Sequence, residues 1–408
     1  MKKNNQPKRL KPNEVENVSK VNSKRFLTPG KHLMMGNVAM SEGALSAGLN
    51  YFGGYPITPS TEVIEHLAVR MPQVGGVCMQ MEDELASINS VIGASLVGAK
   101  AMTATSGPGL SLMVETISMA ANLEVPFVFC DVQRNGPGTG FVTEAHHNDI
   151  GLVRFSGNGE FQVIALAPMS CQELFDLTIT AFNYAELYRC PVFILSDAYL
   201  GHLHEVVTIP TKEEILNRVI QRELPPSDEY VKKFTYKDDN SDNFIIPKPP
   251  QMGTDYCPGL LLHQPHNYEG LPTPKPMQFI EAIMDKINKN KDKICITESY
   301  KLEDAEIIII AYGLPVRASY RAVDIARKEG FKVGIFRLVT VWPFPDKEVK
   351  QLVKDAKAII VPELNYTGYI AEQVERVTKL EIPVIKIPKV CDFHHPDDIL
   401  KVIKEVDK

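Results

Sequence analysis

Short apolar runs ending in glycine or polar turns alternate with longer small-residue or amphipathic segments. No other feature constrains the fold of this chain as strongly. Residues 77–81 read as a strand, 84–99 as a helix, 101–105 as a strand and 110–121 as a helix. Residues 126–132 are continuously apolar, as in a strand buried on both faces of a parallel sheet. The series continues with a strand at 162–165, a helix at 171–188 and a strand at 191–197. Such alternation makes a mainly parallel sheet covered by helices on both faces. Upstream, residues 36–48 read as a helix rich in small residues and 51–55 as a strand. Thr58 then stands as the candidate cap of the next helix, with Pro59 at its first position.

The pattern fails between residues 205 and 276, where prolines recur and residues 238–243 are polar throughout, so this stretch reads as a connector. A helix at 277–287 leads into a second α/β series: strands at 306–313, 332–337, 358–363 and 384–387, with helices at 316–329 and 346–355. At 408 residues the chain is long enough for two domains. The expected division is a mobile polar leader at 1–33, a first α/β domain at 34–204, a connector at 205–276 and a second α/β domain at 277–408.

Charge and cysteines exclude several classes. The net charge of -6 carries no basic stripe of the kind that reads nucleic acid. The lysines and arginines of the first 25 residues lie among Asn, Pro and Ser, as in a solvated tail. Seven cysteines never form C-x-x-C, so neither a zinc ribbon nor an iron–sulfur ligand run is present, and reduced buried thiols are expected. With no signal peptide and no apolar run long enough to span a bilayer, a soluble cytoplasmic protein is expected.

Candidate chemistry gathers where strands give way to helices. Glu84 opens a helix, and a first-turn carboxylate stabilised by the helix dipole is common enough to need no function. The segment behind it is apolar or small on nearly every face, which suggests burial, and a buried carboxylate needs a partner. The ring nitrogen of an aminopyrimidine is one such partner; holding it favours the tautomer that draws the proton from the thiazolium carbon of thiamine diphosphate. The local sequence leaves these two readings even. Thr105-Ser106-Gly107-Pro108-Gly109 reads as a tight strand-to-helix turn and is not a phosphate loop, and no G-x-G-x-x-G follows a strand. Arg134 follows the apolar strand in a glycine-rich loop, at the sheet end where open α/β folds bind ligands. Its guanidinium suits a two-pronged grip on a carboxylate, in the company of Gln133, Thr139 and Asp149. His146, His147, His202 and His204 lack an H-E-x-x-H arrangement, so polar lining or surface roles are expected of them rather than a metal site.

Four motifs in order, Gly54-Tyr-Pro-Ile-Thr-Pro-Ser60, Gln80-Met-Glu-Asp-Glu-Leu-Ala-Ser87, Thr103-Ala-Thr-Ser-Gly-Pro-Gly109 and Asp131-Val-Gln-Arg-Asn-Gly-Pro-Gly-Thr-Gly140, closely resemble the alpha subunit of 2-oxoacid:ferredoxin oxidoreductases, most of all those acting on 2-oxoglutarate. The likeness resumes at residues 338–345 and 363–366. It implies a pyrimidine-binding domain of a thiamine diphosphate site, followed by a domain like the C-terminal one of transketolases. It further implies that Glu84 meets the aminopyrimidine beside Ser106 and Gly107, and that Thr58 and Arg134 lie at the substrate, Arg134 holding its carboxylate. Implied partners are a beta subunit carrying the diphosphate site, magnesium (Mg2+) and a four-iron (4Fe-4S) cluster, small ferredoxin-like and gamma subunits, and ferredoxin, with coenzyme A as co-substrate. The chain contains no Gly-Asp-Gly followed by an asparagine and no cysteine run, which agrees with that division of labour. The departures are Asn135 and Gly138 in the arginine loop and His147, which stands where a glutamine is common; pyruvate and branched-chain 2-oxo acids therefore remain open as substrates. A decarboxylase subunit and a non-catalytic assembly subunit are the rival readings.

Overall fold

The computed structural model describes residues 22–222, 276–352 and 356–407. Most of the expected leader and, of the expected connector, residues 223–275 lie outside the described residues.

The first series of strands forms one open sheet of seven. In chain order its members are β2 (Tyr51–Gly54), β3 (Val77–Gln80), β4 (Ala101–Thr105), β5 (Phe127–Gln133), β6 (Ile164–Leu166), β7 (Pro191–Asp197) and β12 (Thr340–Trp342). They lie in the order β12-β6-β7-β5-β4-β2-β3, all parallel except β12. Chain progression runs one way from β2 to β3 and the other way from β4 onward, so the switch point lies between β2 and β4. Every residue of β5 is buried, which is why that segment reads as continuous apolar sequence. Phe129 and Phe193, with ring centroids 4.9 Å apart, join it to β7. Burying each such ring contributes roughly 1.5–3 kcal/mol.

The second sheet has five strands: β9 (Thr297–Tyr300), β10 (Ile307–Ala311), β11 (Val333–Leu338), β13 (Ala358–Glu363) and β14 (Val384–Pro388). Their order is β14-β13-β10-β11-β9, with only β9 antiparallel. The four isoleucines of β10 are buried on both faces. A two-stranded ribbon pairs β1 (Gly30–Met35) with β8 (His204–Ile209). That ribbon and the helix Lys212–Arg218 fold onto the first sheet's helices, although residues from 205 onward read as connector. The helix is fixed by a capping box between Thr211 and Glu214, a signal the polar composition hides.

Among the ties between the two halves are a donated strand and a buried ion-pair network. The C-terminal half donates β12 to the edge of the first sheet. Arg337 on β11, 1% exposed, pairs with Glu173 on the helix Cys171–Tyr188 and with Glu298 on β9.

Two local expectations are corrected. The helix after β2 begins at Thr61 with Ser60 as its cap, because Ile57 carbonyl accepts from Ser60 N and Oγ in a turn that delays helix entry. Thr58 is therefore in a turn and not a cap. The helix Glu84–Leu96 is buried on one face only; Leu85, Ala86 and Asn89 are exposed within this chain.

Candidate functional site

Five loops meet at the carboxyl ends of β2, β3, β4, β5 and β7, beside the switch point, where open α/β sheets bind ligands. Asp83 caps the helix after β3, accepting from Ala86 N at 2.7 Å, and this fixes Glu84 as the first helical residue. Glu84 is 7% exposed and leans across to the turn after β4. A β-carbon on Gly109 would stand 2.8 Å from Glu84 Oε1 and 2.0 Å from Thr105 Oγ1. Glycine is thus what lets the carboxylate occupy this position. Ser106 and Gly107 open the helix Gly107–Asn122 and are buried. Among the described residues the hydroxyls of Thr105 and Ser106 have no hydrogen-bond partner.

Arg134, 5% exposed, donates from Nη1 to the carbonyl oxygen of Thr58 at 2.7 Å, joining segments 76 residues apart. Burial lowers its pKa, while the negative charges of Asp149 and Glu84 oppose that shift. Its Nε has no partner among the described residues. The structure therefore brings Thr58, Glu84, Ser106, Gly107 and Arg134 into one neighbourhood, with Thr58 contributing its backbone to the contact. Thr139 is exposed on the outer part of the loop, away from Arg134's buried guanidinium, and Gln133 turns back to donate to Ser196 carbonyl at 3.1 Å.

Arg134, Gly107 and Asp149 also line a cavity of about 720 Å³ between the two halves, closed on the far side by Arg154, Trp342 and Tyr369. Arg154 lies over the rings of Trp342 and Phe155, 4.3 and 4.4 Å from their centroids.

Sequence reasoning missed how the histidines and acids are used. His147 is buried and hydrogen-bonded to Asp197 at 2.9 Å, while Asp197 also caps the next helix through Tyr199 N and Leu200 N. His146 is buried against Asn135. His202 and His204 lie nearer the surface. Asp131 and Asp149 form a buried pair that no spacing rule announces. Among the described residues no group of His, Cys, Asp or Glu could hold a metal ion, and the described cysteines are all free thiols.

These residues fit half of a thiamine diphosphate site. A buried carboxylate beside a glycine-bearing turn, with two unpartnered hydroxyls, suits a flat nitrogen heterocycle. The diphosphate would need a metal-bound clamp, for which this chain offers no ligand set among the described residues.

Fold and site together define a thiamine-type α/β domain followed by a second α/β domain. The same arrangement recurs in a split-gene transketolase, which shares the fold at a TM-score of 0.52 and 11% identity over 91% of this chain and 98% of that one. The chain belongs to the family described as pyruvate flavodoxin/ferredoxin oxidoreductase, thiamine diphosphate-binding, whose signature matches residues 42–256; that of pyruvate:ferredoxin oxidoreductase core domain II matches residues 305–392. It is 44% identical to 2-oxoglutarate synthase subunit KorA of Methanocaldococcus jannaschii, over 91% of this chain and 98% of that protein. Among solved structures it resembles 2-oxoglutarate:ferredoxin oxidoreductase from Magnetococcus marinus, determined with 2-oxoglutarate, coenzyme A and succinyl-CoA bound. That match has a TM-score of 0.84 and 30% identity, and covers 93% of this chain and 66% of that one.

Proposed function

We propose that this chain is the alpha-type subunit of a coenzyme A-dependent 2-oxoglutarate:ferredoxin oxidoreductase, acting in the cytoplasm with a beta subunit. The observation that carries the reading is the convergence of Glu84, Arg134 and Thr58 at the switch point of the first sheet. Residues 34–204 act as the pyrimidine-binding unit and 277–408 as the transketolase-like unit. Thiamine diphosphate, shared with the partner, supplies the carbanion chemistry that releases carbon dioxide from a 2-oxo acid.

Glu84 would hold the aminopyrimidine at its ring nitrogen by sharing a proton with it, which favours the imino tautomer. Arg134 anchors the acid's carboxylate, and Thr58 holds the guanidinium in place through its carbonyl. Ser106 and Gly107 bound the heterocycle's space. Magnesium and iron–sulfur clusters belong to partner chains in this reading, and electrons leave through those clusters to ferredoxin. The exposed face of β3 and the Glu84 helix supports a partner at this edge: Val77, Met79 and Leu85 are each about half exposed. Among the described residues no helix is long and apolar enough to cross a membrane.

Reconstitution with the beta subunit, followed by coenzyme A-dependent reduction of a viologen dye, tests this directly. 2-Oxoglutarate should give the highest kcat/KM, ahead of pyruvate and 2-oxoisovalerate. A preference for either competitor would overturn the substrate assignment, and aldehyde release without dye reduction would overturn the oxidoreductase reading.

A further inference from the structure

The site above leaves a pair of carboxylates unused. Asp131, on β5, is wholly buried, and among the described residues neither of its oxygens accepts from an N–H or a hydroxyl; the group that meets it is the carboxyl of Asp149. Asp149, 4% exposed, faces it. The Asp149 carboxylate lies against Gly107, where a β-carbon would approach Oδ2 to 3.1 Å; Oδ1 accepts from Asn148 Nδ2 at 2.8 Å. Two carboxylates in contact, both buried, cannot both ionise, so they hold a proton between them. Burial pushes both upward, Asp149 to about 7. The groups that draw Asp149 back down are Asp131 through their hydrogen bond, His147 and Arg134. Glu84 also acts on Arg134. Arg134 thus has two acidic neighbours, and its Nη1 is engaged by a neutral carbonyl.

We propose that the Asp131–Asp149 pair is a proton-coupled counter-ion for Arg134, which takes up a proton when the carboxylate of a 2-oxo acid occupies Arg134 and releases it when the acid leaves. This rests on the reading of Arg134 as the acid's anchor. The physical basis is linkage: an anion brought to Arg134 takes over the positive field that favours ionised Asp149 and adds repulsion of its own. Asp149 and Arg134 line the same cavity, so the two charges compete at short range. Binding that takes up a proton weakens as protons become scarce. Acid affinity therefore falls as pH rises through neutrality, by up to about tenfold per pH unit for one proton.

The test uses the reconstituted complex and 2-oxoglutarate. KM should rise with pH above neutrality in the wild type, and this slope should flatten in Asp149→Asn, whose amide can still donate to Asp131, with the change confined to KM. Asp131→Asn serves as the second variant and should flatten it as well. Infrared spectra of the full chain give a readout independent of turnover. A protonated-carboxyl band titrating near neutrality is expected in the wild type and absent from both variants. Retention of the wild-type KM slope in Asp149→Asn, while Arg134→Ala raises KM, would overturn this inference alone. An Arg134→Ala complex with unchanged KM would instead overturn the acid-anchor reading beneath it. A wild-type chain without that infrared band would overturn the shared proton.

Discussion

The carboxyl ends of the two sheets are built from similar residues and treated in opposite ways. At the second sheet, Glu363 is wholly enclosed and fully used: it accepts from Ile370 N and Ala371 N at the start of the helix Tyr369–Thr378, from Tyr312 Oη at 3.1 Å and from Asn365 Nδ2 at 3.0 Å. At the first sheet, Thr105 Oγ1, Ser106 Oγ, Gln133 Oε1 and Nε of Arg134 are buried without a partner among the described residues, and Asp131 faces another carboxyl, that of Asp149. Unpartnered buried polar atoms each cost about 1–3 kcal/mol, so a cluster of them at one sheet end sets it apart from Glu363: on the proposed function a ligand contributes at the first, whereas Glu363 holds the protein itself together. The helix carrying Glu363's donors also walls the cavity next to Arg134, so the closed end gives the open one a fixed boundary.

Four substitutions would sharpen or break that contrast. The largest effect is expected at the open end. Glu84→Gln in the reconstituted complex should lower kcat by about 10²–10⁴-fold with little change in the melting temperature; turnover within a few-fold of wild type would remove Glu84 from its role. Next comes the closed end, where Glu363→Gln turns an amide toward four donors. It should cost about 2–4 kcal/mol in thermal unfolding, while kcat per folded complex stays near normal. A strong kinetic defect without destabilisation would mean that the two ends are not divided as described.

Arg134→Ala should reduce kcat/KM by roughly 10–100-fold, the loss of about 1.5–3 kcal/mol of charge-assisted hydrogen bonding, mostly through KM. Steady-state kinetics showing a defect in kcat alone would contradict it. The smallest effect concerns pH. Asp149 titrates at about 7 in the folded chain, above its unfolded value, so the native state binds the extra proton and loses stability as pH rises from the unfolded value to about 7. Asp149→Asn removes that loss. Its melting temperature should gain on the wild type by a few °C between pH 5 and pH 7.5, on the order expected for about 3 kcal/mol; a constant difference across that range would rule the coupling out.

Much of the architecture was legible because burial on both faces leaves a strong local mark. The elements at 101–105, 171–188, 191–197 and 358–363 are read to the residue, since runs such as Ala358-Ile-Ile-Val are continuous and end at polar or glycine turns. What escaped was short or held by distant partners. β12 is three residues long and exists because β6 offers it an edge. The start of the helix after β2 is set by the turn at Ile57 and not by the proline. The one-sided exposure of the Glu84 helix was equally hidden, because a small-residue sequence does not say which face the fold leaves exposed.

The site divides along the same line. The sequence by itself determined the chemistry on offer: a carboxylate at a helix start, a glycine turn, an arginine after a buried strand, and neither a diphosphate clamp nor a cysteine run. These are local because caps, turns and strand ends are settled by a few adjacent residues. Only the tertiary structure decided that Thr58 lends Arg134 its carbonyl, that Gly109 clears room for Glu84, and that Asp131 faces Asp149. Each of those contacts joins residues far apart along the chain, and what fixes them is the order of the strands and the packing of helices across them.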